Sequence, residues 1–157
     1  MIKVQISSDK ELKIKNLVLD FNGTIALDGK IKESIKPRII ELARQGLDIY
    51  IITADTYKTA YEECKDLPVK VRIYNNCDES KAKGDFVKYL GSENTISFGN
   101  GNNDALMFDN SLLSVAIISE EGCFTKSALK SDILMSNILD AFDLLLNQNR
   151  LRATLRY

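Results

Sequence analysis

The chain has no histidine. That absence excludes Ser-His and Cys-His nucleophile pairs and the usual imidazole metal sites. Any chemistry here must run on carboxylates, lysine, hydroxyls and amides, with an oxygen-preferring metal as the natural inorganic partner. Net charge is missing too: 21 Lys and Arg against 22 Asp and Glu leave −1 over 157 residues. With no strong field of either sign, neither nucleic acid nor an anionic membrane is expected as a partner. No apolar run approaches the roughly 18 residues of a membrane span, and the N-terminus alternates charged and apolar residues instead of forming a signal-peptide core. Cysteine is scarce. Cys64, Cys77 and Cys123 are odd in number and widely spaced, against a disulfide framework or a zinc knuckle, so a reducing cytoplasm is the expected compartment. No repeat and no Gly-, Ser- or Pro-rich linker divides the chain, and residues 1–157 are expected to form a single domain.

What is present is an alternation of strand and helix patterns. Ile2, Val4 and Ile6, then Leu12 and Ile14, alternate with polar residues around a Ser7–Glu11 turn and predict an opening hairpin. It feeds the apolar strand Leu17–Asp20. Asp28-Gly29, between Ile25–Leu27 and Lys30–Lys32, predicts a small hairpin flap. Ser34 is expected to cap a helix carrying Ile35, Ile39 and Leu42, with Pro37 in its first turn and Gly46 at its end. Further strands are expected at 47–52, 69–74, 95–98, 113–118 and 133–135. Helices are expected at 56–65, 80–90, after 104, near 124–130, and last from a cap at Asn137. This order calls for an α/β, three-layer, Rossmann-like doubly wound fold with a mainly parallel sheet.

Ligands bind at the carboxyl ends of strands in such sheets. Those ends collect Asp20-Phe21-Asn22-Gly23-Thr24, then Thr53-Ala54-Asp55, then the loop Gly99–Asp104, with Lys81 and Lys83 opening a nearby helix. A carboxylate, a hydroxyl, a lysine and a Gly/Asn/Asp loop suit phosphate and a hard metal ion. Blander readings stand beside this one. Asp20 also reads as a loop or cap aspartate, Thr53 and Asp55 as helix caps, and Lys83 as a solvated residue with Lys81 as its competitor. Asp28 reads as a turn former, and Tyr57, Tyr61 and Cys64, at helical spacing, read as core.

In this order the motifs resemble the haloacid dehalogenase-like superfamily, and within it the phosphorylation domain of P-type ATPases and the small proteins described as soluble P-type ATPases. Asp20-Phe21-Asn22-Gly23-Thr24 is similar to Asp-Lys-Thr-Gly-Thr at its Asp, Gly and Thr; Thr53-Ala54-Asp55 resembles Thr-Gly-Asp. Lys83, with Val87 and Leu90 behind it, stands where that family has its lysine, and Gly99–Ala105 resembles Gly-Asp-Gly-x-Asn-Asp-Ala. The match runs from Ile14 to Leu146. The resemblance implies that Asp20 attacks a phosphoryl group and becomes an aspartyl-phosphate, with Lys83 neutralising charge. It implies that Thr53, Ala54 and backbone groups around Phe21 and Gly23 hold the phosphoryl oxygens. It implies magnesium on Asp20, Asn22 through its carbonyl, and Asn100, with Asp104 and Asn103 supporting.

Two departures weaken that implication. Many phosphatases of the superfamily have a proton-shuttling aspartate where this chain has Asn22, and an amide cannot carry that proton; losing such a group costs roughly 10²–10⁴ in rate. Asn100 replaces the usual magnesium-binding aspartate, which removes a formal charge. Between Thr24 and Ser34, and between Thr56 and Ser80, there is no room for the cap that usually selects a substrate, nor for a nucleotide-binding domain. The expected protein is therefore a capless, slow, magnesium-dependent phosphohydrolase acting on a phosphorylated small molecule or macromolecule. The rivals are a non-catalytic regulatory or phosphate-binding relic and a phosphotransferase. Ile138, Leu139, Phe142 and Leu144–Leu146 give the last helix more apolar surface than one packing face needs, which leaves room for a homo-oligomer.

Overall fold

The computed structural model describes residues 1–75 and 78–156, so Cys77 lies outside the described residues. Strands β1 (Ile2–Gln5) and β2 (Glu11–Ile14) pair antiparallel, Ile2 opposite Ile14, and bury their alternate apolar residues. Strand β3 (Asn16–Asp20) is buried along its whole length. Then come the flap strands β4 (Ala26–Leu27) and β5 (Lys30–Ile31), helix α1 (Lys36–Arg44) and β6 (Asp48–Thr53). They are followed by α2 (Ala60–Cys64), β7 (Lys70–Ile73), α3 (Glu79–Leu90) and β8 (Thr95–Gly99). The chain continues through α4 (Ala105–Asp109), β9 (Leu113–Ile117), α5 (Thr125–Ala128), β10 (Ile133–Met135), α6 (Ile138–Leu146) and α7 (Gln148–Leu155).

The six-stranded sheet has the order β10-β9-β8-β3-β6-β7, and every neighbouring pair is parallel. After β3 the chain winds outward through β6 and β7, then crosses back to β8, β9 and β10 on the other side. The winding direction therefore reverses at β3, which opens a crevice at its carboxyl end. Period-two alternation sends Leu17 and Leu19 to one face and Val18 to the other. The first face packs against Ile35, Ile39 and Leu42 of the α1 region and Ala141, Phe142 and Leu145 of α6. The second packs against Phe86 and Val87 of α3 and Met107 and Phe108 of α4. Burial on both faces is why β3 reads as an unbroken apolar run. No helix among the described residues is long and apolar enough to cross a membrane.

Four local expectations need correction. Ser34 does not cap α1: the helix starts after Ile35, without a side-chain cap, because the buried Ile35 anchors that turn and its N–H already bonds Lys32 O. The helix expected at 56–65 is only Ala60–Cys64, since Asp55 and Lys58 have φ of 55° and 56°, a left-handed backbone that interrupts a helix. Tyr57 and Tyr61 are consequently not core; they are 48% and 62% exposed, and only Cys64 of that trio is buried. Finally, α6 is not the last helix. The chain turns at Asn147 into α7, and α1 and α7 pack on α6. They cover Ala141, Phe142, Leu144 and Leu145, while Ile138, Leu139 and Leu146 stay half-buried.

Candidate active site

Asp20 is the last residue of β3 and sits in parallel register with Ile52, one residue before Thr53. Beyond it the backbone coils around the Phe21 carbonyl, which accepts from Thr24, Ile25 and Ala26 N–H at 3.3, 3.0 and 2.9 Å. This coil needs a left-handed residue, and Gly23 supplies it with φ 77°. A Cβ there would also lie 2.2 Å from Asn100 Nδ2, so the glycine brings the loops after β3 and β8 together. Phe21 is fully buried, leaving only its backbone for the site.

The loop after β8 closes on Asp104. Its Oδ2 accepts from the N–H groups of Asn100 (2.9 Å) and Gly101 (2.8 Å), and a Cβ on Gly99 would meet that oxygen at 2.4 Å. Its Oδ1 accepts from Lys83 Nζ at 2.7 Å. Lys83, on α3, also donates to Asp20 Oδ1 at 2.5 Å, and its side chain is only 1% exposed. Lys81 instead pairs with Asp85 at the surface. A buried lysine between two buried carboxylates is costly unless each charge is matched. Burial raises the Asp20 carboxyl to about 7 despite the opposing pull of Lys83, with Asp104 adding to the rise. Burial would lower Lys83, but Asp104 and Asp20 together outweigh it and hold the ammonium above its ordinary value.

The remaining predicted residues divide in two. Thr53 is buried, and its hydroxyl oxygen accepts from Asp55 N–H at 2.8 Å, beside the end of β3. Ala54 follows it in the same turn, half-buried. Asp55 Oδ1 accepts from Thr59 and Ala60 N–H at 3.0 Å each and so caps α2. Asn103 turns away and donates to Glu79 at the start of α3 (2.8 Å). Asn22 points its amide oxygen at Gly29 N–H (3.1 Å), toward the flap. Sequence reasoning left Thr24 out of the site, although it is the threonine of the first motif. Its buried hydroxyl stands 3.4 Å from Asp20 Oδ2 and 3.2 Å from Asn100 Oδ1. No sequence signal marked the Gly122 carbonyl, which accepts from Asn100 Nδ2 (3.1 Å) and so turns Asn100 Oδ1 inward.

Asp20 Oδ2 and Asn100 Oδ1 are two oxygen acceptors converging on one hydroxyl proton, a donor set that fits a hard divalent cation sharing its coordination with a phosphate. Asp104, with Oδ2 on two loop N–H groups and Oδ1 on Lys83, anchors both the Asn100 loop and the lysine. Among the described residues no group of three or more Cys, Asp and Glu side chains could hold a metal by itself. Amide and backbone oxygens would have to complete any such site.

No family model matches the chain. Uncharacterized protein MJ0073 of Methanocaldococcus jannaschii is 46% identical over 82 residues, half of this chain and 88% of that protein. A probable copper-exporting P-type ATPase of Archaeoglobus fulgidus is 31% identical over 96 residues, 60% of this chain but only 12% of the transporter. Among solved structures, the cobalt-bound deoxy-D-mannose-octulosonate 8-phosphate phosphatase of Haemophilus influenzae superposes with TM-score 0.72 at 16% identity, covering 92% of this chain and 94% of its own. The 3-deoxy-D-manno-octulosonate 8-phosphate phosphatase of Moraxella catarrhalis, solved with a magnesium ion, a phosphate ion and a KDO molecule, gives TM-score 0.71 at 18% identity, covering 91% of this chain and 94% of its own.

Proposed function

We propose that this chain, which belongs to the same sequence family as protein MJ0073 and has the haloacid dehalogenase-like fold, is a metal-dependent phosphohydrolase working through a phosphorylated Asp20. The observation that carries the reading is the buried Lys83 held between Asp20 and Asp104 at the switch point of the sheet. A cation kept dry beside a carboxylate nucleophile is placed where phosphoryl charge must be matched.

In this reading the Asp20 carboxylate attacks phosphorus and the leaving group departs with the bond's electron pair. Water then attacks the same phosphorus, releasing inorganic phosphate and restoring the carboxylate. Thr53, the backbone around Gly23 and Ala54, and Lys83 hold the phosphoryl oxygens. Asp104 keeps Lys83 and the Asn100 loop in place, and Asn103 braces that loop against α3. A divalent ion held by Asp20, Asn100 and the Asn22 carbonyl would supply positive charge between nucleophile and phosphate. Magnesium is the proposed ion, since the donors are all oxygen. The Asn22 amide cannot give up or take a proton, so both steps are slow. The chain acts as a single capless domain in the cytoplasm, on a phosphorylated small molecule or macromolecule that the small flap leaves room to approach.

Hydrolysis of an aryl phosphate by purified protein tests this. Turnover that needs magnesium and disappears in Asp20→Asn is expected. Phosphate binding without turnover, unchanged in Asp20→Asn, would instead favour the non-catalytic relic. Transfer of labelled phosphate from Asp20 to an added alcohol, faster than to water, would favour a phosphotransferase.

A further inference from the structure

A cleft of about 470 Å³ lies behind the nucleophile loop. It falls within the roughly 300–1,000 Å³ of small-molecule sites. One wall is the loop and flap, from Gly23 to Leu27; the opposite walls are the end of β9 and the start of α6. The floor is apolar: Ile25, Ile35 and Ile117 are buried beneath it, with Leu139 beside them. Ile118 also lines it and remains 45% exposed, a large apolar side chain turned to open space beside a strand that is otherwise buried.

The rim is polar. Lys32 is the one cation among the described residues lining the cleft, and it pairs with Glu120 across the opening. Their side chains are 48% and 59% exposed, so this ion pair contributes little to stability and a competing carboxylate can replace Glu120. None of Asp20, Asn22, Thr53, Lys83 and Asn100 lines the cleft.

We propose that this cleft is a second binding site, for a small amphipathic carboxylate. Its carboxylate takes the place of Glu120 on Lys32, and its apolar body covers Ile25, Ile118 and Leu139. The wall it shares with the phosphoryl site is Gly23-Thr24, and the Thr24 hydroxyl stands between Asp20 and Asn100. Occupancy is therefore felt at the phosphoryl site through one side chain.

Nuclear magnetic resonance of the full ¹⁵N-labelled chain, titrated with octanoate, 1-octanol, octylamine and acetate, tests the site without turnover. Octanoate should give saturable shifts centred on the amides of Ile25, Lys32, Ile118 and Leu139, with 1-octanol weaker and acetate and octylamine without effect. Lys32→Met, at a half-exposed position that tolerates substitution, should weaken octanoate by about two- to fivefold, the scale of an exposed ion pair. Ile118→Glu should abolish binding, and Asp20→Asn should leave it intact. That last arm separates failure of this site from failure of the phosphohydrolase reading. Equal binding of octanol and octanoate, an unchanged affinity in Lys32→Met, shifts centred on Asp20, or no saturable shift would each overturn the proposal.

Discussion

The amide oxygen of Asn22 accepts the backbone hydrogen of Gly29 at 3.1 Å, which ties the residue two beyond Asp20 to the tip of the flap. Thr59 holds the same residue from the other side, its hydroxyl donating to the Gly29 carbonyl at 2.6 Å. Asn22 thus positions the hairpin, although it cannot move a proton.

Substituting Asn22→Asp should keep this tie, because one carboxylate oxygen still accepts from Gly29, while the other becomes available as acid and base. Turnover of alkyl phosphates should rise by about tenfold or more. Aryl phosphates, whose leaving groups need little protonation, should gain less. Steady-state kinetics on both classes checks this, and equal rates for the two proteins would show that proton transfer is not limiting.

Lys83→Met should be costly. It removes the ammonium that matches two carboxylates, both at least nine-tenths buried. Breaking a buried pair typically destabilises by about 3–5 kcal/mol. Urea denaturation should show a loss of that order, together with loss of hydrolysis. A loss under about 1 kcal/mol would place the cluster in water, not in the core.

Gly23→Ala should fail for two reasons at once. At φ 77° an alanine is strained by roughly 1–2 kcal/mol, and its Cβ would meet Asn100 Nδ2 at 2.2 Å. Thermal denaturation should register the strain. Magnesium titration should register a weaker site, because Asn100 must move away from Asp20; unchanged metal affinity would argue that Asn100 is not a ligand.

The pH dependence has a definite sign in metal-free protein. Burial raises Asp20 from the ordinary carboxylate value of 3.8 to about 7. The folded state therefore holds a proton that the unfolded state has released between those values. This contribution to stability is complete below the unfolded value and is lost as pH rises through about 7. Lys83, raised above 10.5, contributes stability that persists across this range and is lost only as pH rises beyond it. Denaturation midpoints between about pH 4 and pH 8 should fall for the native chain and fall less for Asp20→Asn. Parallel curves would mean that Asp20 is already ionised at the lower pH.

Much of the fold was legible because its signals are local. Leu17–Leu19 is apolar on every residue, as a strand covered on both faces must be, and Asp28-Gly29 adopts the left-handed pair its hairpin needs, with φ of 49° and 77°. Asn137 caps α6 as expected, accepting from Leu139 N–H. The misses arose where local pattern competed with distant packing. Tyr57, Tyr61 and Cys64 have helical spacing, yet Asp55 and Lys58 take positive φ there and Asp55 satisfies the N–H groups of Thr59 and Ala60. Helix α7 carries a single fully buried apolar residue, Leu151, too weak a periodicity to separate from a tail.

By itself the sequence determined the order of strands and helices and, through the carboxyl-end rule, which loops could meet around Asp20. Periodicity and turn chemistry depend on neighbours within a few residues, so a one-dimensional string carries them. Only the tertiary structure decided the partners across long separations. It placed Lys83, not Lys81, against Asp20, 63 residues away, because that helix position faces the sheet and its neighbour faces water. It committed both oxygens of Asp104 to Lys83 and the loop backbone, and turned Asn22 toward the flap. A side chain's direction depends on what packs against it, and that is settled only when β3, α3 and the Asn100 loop close on one another.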